Sequence, residues 1–212
     1  QDPAITPLQR VALAEAVFEE QTGFRTRSGQ RLMTLGMMNR NAVILATGQG
    51  KSFAFLTEFM VQRMQRGRDL RAVLILESED AVRKYVAGTA EDARGRASHA
   101  QFMAAFGMRL VNGDALANDA KEAAAQGISH PYQQLIDDIN DPNAVVVFSQ
   151  TARGHLSNVV ADIAAAELLD ALRAVNVVRI DEIHKFALSR DSYIVGRGEK
   201  FVEQTQLDHM RK

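Results

Sequence analysis

The sequence predicts an α/β fold in which a mostly parallel sheet is preceded by N-terminal helices. Short apolar runs, typical of strands buried on both faces, lie at residues 42–46, 72–76, 108–111, 143–149 and 175–180. Segments with a helical pattern separate these runs, and strands that alternate with helices are joined by crossovers into a parallel sheet. The chain has 212 residues, of which 46% are hydrophobic, so it is long enough for one α/β domain with a sizeable core.

Two helices are predicted before the first strand. Thr6 and Pro7 suit the N-cap and the first position of a helix, and Gly23 can end it. The apolar positions of this helix are Leu8, Val11, Leu13, Val17 and Phe18. Ser28 is predicted to cap a second helix that runs to about Met38.

The helices that join the strands are predicted from their own pattern and end signals. The segment from Lys51 to about Arg66 has a helical pattern, and Gly67 is its predicted stop. A helical pattern rich in Arg and Ala follows the second apolar run. Asp114 is predicted to cap an Ala-rich helix, and most of residues 151–173 have a helical pattern.

Composition excludes several classes of protein and of site. The net charge is −1 and the pI is about 6.6, which argues against a broad electrostatic grip on nucleic acid or on an anionic membrane. The chain has no Cys, so disulfides and thiolate metal sites are excluded. No apolar run reaches membrane-spanning length, and the N-terminal segment lacks the layout of a signal peptide. Because the sequence does not begin with Met, we expect a processed chain or an excised fragment.

The segment after the first predicted strand has the chemistry of a phosphate-binding loop. It joins that strand to a predicted helix and consists of Ala46, Thr47, Gly48, Gln49, Gly50, Lys51 and Ser52. Glycines let the backbone approach phosphates, and N–H groups at a helix start point at the anion. Lys51 would add positive charge on the outer phosphates, and the Ser52 hydroxyl would coordinate Mg²⁺. The standard pattern GxxxxGK[ST] requires Gly where this chain has Leu45, so only a variant of the loop fits. The alternative is a Gly-rich turn with an exposed lysine.

An acidic pair ends the last predicted strand. Asp181 and Glu182 would lie at the carboxyl edge of the sheet, where open α/β folds bind ligands. Asp181 would hold Mg²⁺ through water, and Glu182 would polarise an attacking water. A strand that ends in solvated acids is the alternative. The acidic pair and the loop at Lys51 support each other because phosphoryl transfer needs both a phosphate cradle and a metal partner.

These motifs resemble those of a known family of motors. The loop ATGQGKS and the box DEIH are similar to motifs I and II of superfamily two motor domains, most of all to the N-terminal nucleotide-binding domain of the protein translocase SecA. Gln30 lies 21 residues before Lys51, the spacing of the adenine-reading glutamine in that family, and Gly23 and Arg25 precede it with the family's spacing. Without the resemblance, Gln30 would be interpreted as a surface residue of a helix.

The resemblance implies a three-layer, RecA-like P-loop NTPase fold that binds ATP and Mg²⁺. It implies an N-terminal helical segment at residues 1–40, a RecA-like ATP-binding domain at residues 41–196, and an extension at residues 197–212 that leads to a missing region. It covers most of residues 10–196 and is weak outside the motifs.

The resemblance also implies roles for particular side chains. Glu182 and Lys51 would be catalytic, and Ser52 and Asp181 would bind the metal ion. The nucleotide-binding residues carried over from the family are Gln30, Thr47, Gly48, Gln49, Gly50, Lys51 and Ser52.

Only a short segment follows Asp181, so the resemblance implies half of a motor whose second RecA-like domain lies outside this chain. In such motors the second half supplies arginines that stabilise charge on the transferring phosphate. The isolated chain is therefore expected to bind ADP or ATP weakly and to turn over slowly or not at all. The family implies a polypeptide substrate rather than nucleic acid. It also implies a cytoplasmic location, with peripheral contact to a membrane or translocon through the parent protein.

Departures from the family leave other functions open. His184 replaces the final Asp of the family's DEVD box, and SQTARGHLSNVV stands where the family has a TNNEFGFDYLRD-type segment. The DEIH box favours a DExH-type nucleic-acid helicase or translocase, whereas the substituted substrate-side motifs favour a degenerate domain that binds nucleotide without hydrolysis. His184 is either a residue that couples nucleotide state to neighbouring motifs or a plain polar residue after a strand. Acids interleave with the basic residues of segments 62–71 and 83–96, which favours solvated helix faces over a nucleic-acid track.

Overall fold

The computed structural model describes residues 5–23, 25–39, 50–88, 98–151 and 166–181. Its first helix, α1 (Pro7–Thr22), begins and ends as the sequence predicts. The Thr6 hydroxyl accepts a hydrogen bond from the backbone N–H of Gln9, and the Gln9 side chain accepts one from the backbone N–H of Thr6, which forms a capping box. Gly23 ends the helix with φ 70°, in the left-handed region that favours glycine.

The buried face of α1 differs from the predicted apolar face. Leu8 and Leu13 are 62% and 48% exposed. The buried positions of the helix are Val11, Ala14, Glu15 and Phe18. Glu15 can be buried because Arg31 pairs with it, with the arginine Nη2 atom 2.7 Å from the carboxylate Oε2 atom. The buried face of the helix therefore includes an acid that is paired with an arginine, and two of the predicted apolar positions are exposed to solvent.

The second helix, α2 (Ser28–Met38), has the predicted bounds but not the predicted cap. Ser28 is already helical, and the residue before the helix is Arg27. The side-chain Oε1 atom of Gln30 accepts a hydrogen bond from the backbone N–H of Arg27 at 2.8 Å. The Gln30 amide therefore reaches back over the first turn and satisfies the backbone N–H of Arg27, the residue before the helix.

The helix α3 (Lys51–Arg66) confirms the prediction at both ends. Gly67 follows it with φ 58° and opens a short 3₁₀ turn, Gly67–Asp69. The centre of α3 is inaccessible to solvent at Leu56, Phe59, Met60 and Val61. The helices α1 and α2 pack against this helix.

Four strands form one sheet in the described part of the chain, and every neighbouring pair is parallel. The strands are β1 (Ala72–Leu76), β2 (Arg109–Asn112), β3 (Ala144–Ser149) and β4 (Val177–Ile180). Their order across the sheet is β2-β3-β1-β4. This confirms the predicted parallel sheet and four of the five predicted strands to within two residues at each end. The fifth, at residues 42–46, lies outside the described residues.

Five further helices connect or flank these strands in the described ranges. They are α4 (Glu79–Ala87), α5 (His99–Ala104), α6 (Gly113–Ala125), α7 (Gln133–Asn140) and α8 (Ala166–Arg173). Of the helix predicted over residues 151–173, residues 152–165 lie outside the described part, and α8 confirms the remainder.

The predicted cap of α6 is wrong. Asn112 is the N-cap, and its Oδ1 atom accepts a hydrogen bond from the backbone N–H of Ala115 at 3.0 Å. Asp114 lies in the first turn and is buried. Its Oδ1 atom accepts a hydrogen bond from the backbone N–H of Ser149 at 2.8 Å. Asp114 therefore joins the start of α6 to the end of β3 instead of capping its own helix.

Two hydrophobic cores lie on opposite faces of the sheet. Leu74 and Leu76 of β1 belong to the core that contains α1 to α5, whereas Val73 and Ile75 belong to the core that contains α6, α7 and α8. Successive strand residues point to opposite faces, so this alternation places helices on both sides. The described part of the chain is thus a three-layer α/β arrangement in which the central strands β1 and β3 are buried on both faces, whereas the edge strands β2 and β4 are partly exposed.

Candidate functional site

The two strongest sequence motifs meet at the carboxyl edge of the sheet. Lys51 is the first residue of α3, and Asp181 directly follows β4. The Lys51 Nζ atom lies 3.6 Å from the Asp181 Oδ1 atom, and the two side chains are 19% and 25% exposed. The backbone N–H of Asp181 donates to the carbonyl oxygen of Ile75 at 2.9 Å, which fixes the residue beside β1. Residues 130 positions apart in sequence therefore supply a cation and a carboxylate to one place.

Gln30 lies against the same turn. Its Nε2 atom donates to the carbonyl oxygen of Gly50 at 3.1 Å, while its Oε1 atom accepts from Arg27. The residue is only 7% exposed, so the alternative interpretation of Gln30 as a surface residue is wrong. The structure thus places a third predicted site residue, Gln30, in contact with Gly50, which directly precedes Lys51.

Gly50 has two structural reasons to be glycine. Its φ of 75° and ψ of 37° lie in the left-handed region, where other residues are strained. A Cβ atom at this position would lie 2.4 Å from the Nε2 atom of Gln30. The backbone turn and the close approach of Gln30 both depend on the absence of a side chain.

Tyr85 also contacts the start of α3, although the sequence did not predict it as part of the site. Its hydroxyl donates to the backbone carbonyl oxygen of Ser52 at 2.9 Å, and the residue is buried. Burial raises the pKa of the Tyr85 hydroxyl well above its usual range, and the negative charge of Asp181 acts in the same direction. The hydroxyl therefore stays protonated and remains a donor. In the sequence, the only indication of this role is a tyrosine on the apolar face of a short helical segment.

An aromatic cluster packs beside this tyrosine. The ring of His99 lies 4.3 Å from the ring of Tyr85 and 4.8 Å from the ring of Phe53, between centroids. These ring contacts give His99 a structural role in the packing of α4 and α5 against α3.

Several predicted site residues lie outside the described part of the chain. They are Thr47, Gly48, Gln49, Glu182 and His184. The other predicted site residues are described. Gln30 contacts Gly50, and Lys51 contacts Asp181. Gly50, Lys51 and Ser52 are consecutive, and Ser52 is the second residue of α3.

The residues near Lys51 have donor groups that suit Mg²⁺. Within the described ranges there is no group of three or more His, Cys, Asp or Glu side chains that could hold a metal ion alone. Mg²⁺ at phosphate sites keeps several waters and uses one or two protein oxygens together with the phosphates. The Ser52 hydroxyl and the Asp181 carboxylate are oxygen donors of the required kind. The donor set therefore fits Mg²⁺ that arrives with a phosphate ligand and does not fit a closed all-protein metal cage.

Basic residues in the described part of the two charged segments are paired with nearby groups. Arg83 and Lys84 both pair with Asp80 on the exposed face of α4. Arg63 donates to the side-chain oxygen of Asn143 at 2.9 Å and 3.1 Å through its Nη2 and Nε atoms. The exposed pairs of α4 agree with the prediction of a solvated helix face, whereas Arg63 is part-buried and joins α3 to the residue before β3.

Comparison of the chain with protein-family models, with curated proteins and with solved structures finds no match in any of the three. Among the helices in the described ranges, none combines the length and the apolar character needed to cross a membrane.

Proposed function

We propose that this chain is the ATP-binding half of a SecA-like, ATP-driven motor with a RecA-like fold. The observation that carries the proposal is the contact between Lys51, at the start of α3, and Asp181, at the carboxyl end of β4. A site for a nucleoside triphosphate with Mg²⁺ requires two charged groups, a lysine at a helix start for the phosphates and a carboxylate at a strand end for the metal ion. The alternative, a Gly-rich turn with an exposed lysine, does not account for a lysine that is only 19% exposed and faces an acid at the sheet edge.

Each described residue then has a role that its position supports. Lys51 would bind the outer phosphates, together with the N–H groups at the start of α3. The Ser52 hydroxyl and, through water, Asp181 would hold Mg²⁺, which supplies charge neutralisation of the phosphates when it is bound. Gln30 would read the adenine with the second N–H and the second oxygen lone pair of its amide, since its bonds to Gly50 and Arg27 use one of each.

Hydrolysis needs two groups that the described residues do not supply. Glu182 would polarise the attacking water, and arginines from a second RecA-like domain would stabilise charge on the transferring phosphate. The proposal therefore separates binding from turnover. The chain alone should bind nucleotide and hydrolyse it slowly, and the complete parent protein should hydrolyse it faster.

Binding is tested first, with a fluorescent ADP in the presence of Mg²⁺. Lys51→Ala should weaken binding by about tenfold to a hundredfold, because a charge-assisted hydrogen bond contributes about 1.5–3 kcal/mol. Lys84→Ala is the matched control, since it removes a lysine that pairs with Asp80 away from the site. Equal affinities for wild type, Lys51→Ala and Lys84→Ala would refute a phosphate-binding role for Lys51.

The metal role of Asp181 is tested by the magnesium dependence of binding. Asp181→Asn should reduce the gain in nucleotide affinity that Mg²⁺ gives the wild type, and should have a smaller effect when EDTA is present. Asp170→Asn is a matched control on the exposed face of α8, where Asp170 pairs with Arg173. A magnesium response that is unchanged in Asp181→Asn would remove this residue from the metal site.

The motor itself is tested by ATP turnover of the full-length parent protein, with Glu182→Gln as the inactive control. Turnover is measured with no addition, with an unfolded secretory polypeptide, and with single-stranded RNA or DNA. Stimulation by polypeptide supports the translocase, whereas stimulation by nucleic acid would replace it with a DExH-type helicase. Turnover equal to that of Glu182→Gln under all conditions would indicate a domain that binds nucleotide without hydrolysis.

A further inference from the structure

A buried ion pair lies behind the candidate site. Arg179 of β4 contacts Glu58 of α3 through two hydrogen bonds, from Nε to Oε2 at 3.1 Å and from Nη2 to Oε1 at 2.5 Å. The Glu58 side chain is inaccessible to solvent, and that of Arg179 is 20% exposed. Two bonds from a planar guanidinium to one carboxylate fix both the distance and the relative orientation of the two elements.

The same arginine reaches a third element. Its Nη2 atom donates to the backbone carbonyl oxygen of Met37 at 3.3 Å, in the last turn of α2. The Gln62 side chain donates to the Oε1 atom of Glu58 at 2.8 Å and adds to the satisfaction of the buried carboxylate. One guanidinium therefore joins α2, α3 and β4 inside the core.

These three elements are the ones that carry the described groups of the candidate site. Met37 lies seven residues after Gln30 on α2, and Glu58 lies seven residues after Lys51 on α3. Two turns of a helix bring such positions to the same face. Arg179 precedes Asp181 by two residues, so both lie at the same end of β4. The helices α2 and α3 and the end of β4 are thus joined twice, once by the contacts of the candidate site and once by the buried contacts of Arg179.

A buried ion pair is a poor way to gain stability alone. Desolvation raises the pKa of Glu58 above its usual range, although the Arg179 guanidinium and the Gln62 amide act in the opposite direction. Replacing such pairs by apolar residues of similar volume is often neutral or stabilising. An ion pair in this position needs another explanation, and geometric specificity is the one that its three-way contact supports.

We propose that Arg179 and Glu58 are positioning residues for the nucleotide site, because they set the start of α3 against the end of β4 at the spacing that places Lys51 beside Asp181. The inference rests on the proposed function, since it assigns these residues to the same site. Neither side chain touches nucleotide. They act through Lys51 and Asp181, and Arg179 also fixes α2, which carries Gln30.

The test compares wild type with Glu58→Leu/Arg179→Met, which replaces the pair by apolar side chains. We expect a melting temperature at or above that of wild type, together with about tenfold weaker binding of fluorescent ADP with Mg²⁺, because loose positioning lowers affinity without unfolding the site. Asp170→Asn/Arg173→Gln is the matched control and removes an exposed ion pair of α8. Its affinity should equal that of wild type.

Two further measurements separate positioning from general loosening. Arg179→Lys retains the charge but lacks the planar fork, so its affinity should fall between those of wild type and the double variant. In a Lys51→Ala background, replacement of the pair should weaken binding less, since the part of its effect that acts through Lys51 is already lost. An equal loss in both backgrounds would overturn the inference, as would wild-type affinity in the double variant.

A ligand-free measurement distinguishes failure of this inference from failure of the proposed function. The backbone N–H of Phe53 donates to the carbonyl oxygen of Gly50 in the first turn of α3. Its hydrogen exchange should be faster in Glu58→Leu/Arg179→Met, while exchange at Val146 in β3, a strand that does not pair with β4, should not change. If wild type binds no nucleotide, the proposed function is wrong, and unchanged exchange at Phe53 would independently refute the positioning role.

Discussion

Substitution of Gly50 by alanine tests the contact that joins α2 to the start of α3. Two costs are expected. The left-handed backbone at φ 75° costs about 1–2 kcal/mol for a residue with a side chain. The new Cβ atom would also lie 2.4 Å from the Nε2 atom of Gln30. Gln30 is 7% exposed and both ends of its amide are bonded, so its displacement leaves a buried polar group unsatisfied and costs about 1–3 kcal/mol. The expected loss is therefore about 2–5 kcal/mol in the free energy of unfolding, measured by urea denaturation without nucleotide.

Gly23→Ala is the matched control for this experiment. Gly23 has a nearly equal φ of 70°, and a Cβ atom there would meet no atom within 4 Å. Its substitution should cost only the backbone term, about 1–2 kcal/mol. Gln30→Ala removes the side chain that clashes, so the additional cost of Gly50→Ala should largely disappear in that background. Equal losses for Gly23→Ala and Gly50→Ala would show that the contact between Gln30 and Gly50 adds nothing to stability, and would refute the reasoning that ties Gln30 to this turn.

Three other substitutions probe the surroundings of the sheet edge. Burial raises the pKa of Asp114, so its charged form destabilises the fold above the usual carboxyl pKa of about 3.9. Asp114→Asn should therefore gain stability relative to wild type as the pH rises from 4 to 7 in urea titrations, and a pH-independent difference would contradict this. Gly113→Ala should cost about 1–3 kcal/mol, because its Cβ atom would lie 2.5 Å from the Phe148 ring. The small gain usual for Gly→Ala in a helix would disprove that contact. Tyr85→Phe should lose about 0.5–1.5 kcal/mol through its missing bond to Ser52, and unchanged denaturation midpoints would argue against the bond.

The central strands β1 and β3 could be predicted because each is buried on both faces. The runs at residues 72–76 and 143–149 are almost purely apolar, and helices cover both sides of each of them. The bounds of α3 could be predicted as well, since Lys51 follows a glycine and Gly67 ends the helical pattern. These signals are local, and local sequence is sufficient to read them.

Polar contacts between distant segments could not be predicted in the same way. Asp114 has the sequence context of a helix cap, but Ser149 of the neighbouring strand offers its buried carboxylate a backbone donor. Glu58 and Arg179 are 121 residues apart, and each is an ordinary charged residue within its own segment. Their pairing depends on the order β1-β4 at the sheet edge, which is a property of the folded chain and not of any local pattern.

The two ion pairs between α3 and β4 differ in a way that suits a binding site. The Lys51–Asp181 distance of 3.6 Å exceeds the 2.7–2.9 Å of a strong charge-assisted bond, and both side chains retain contact with solvent. Because this pair lacks a short charge-assisted bond, phosphate and Mg²⁺ can separate the lysine from the carboxylate at a lower cost than a short bond would require. The Glu58–Arg179 pair has two hydrogen bonds and a fully buried carboxylate, so removal of either partner would leave an unpaired charge in the core. Ligand could then separate Lys51 from Asp181, while the buried Glu58–Arg179 pair keeps α3 and β4 in the same relative position. If the strengths were reversed, the ligand would have to break the stronger contact before it could bind.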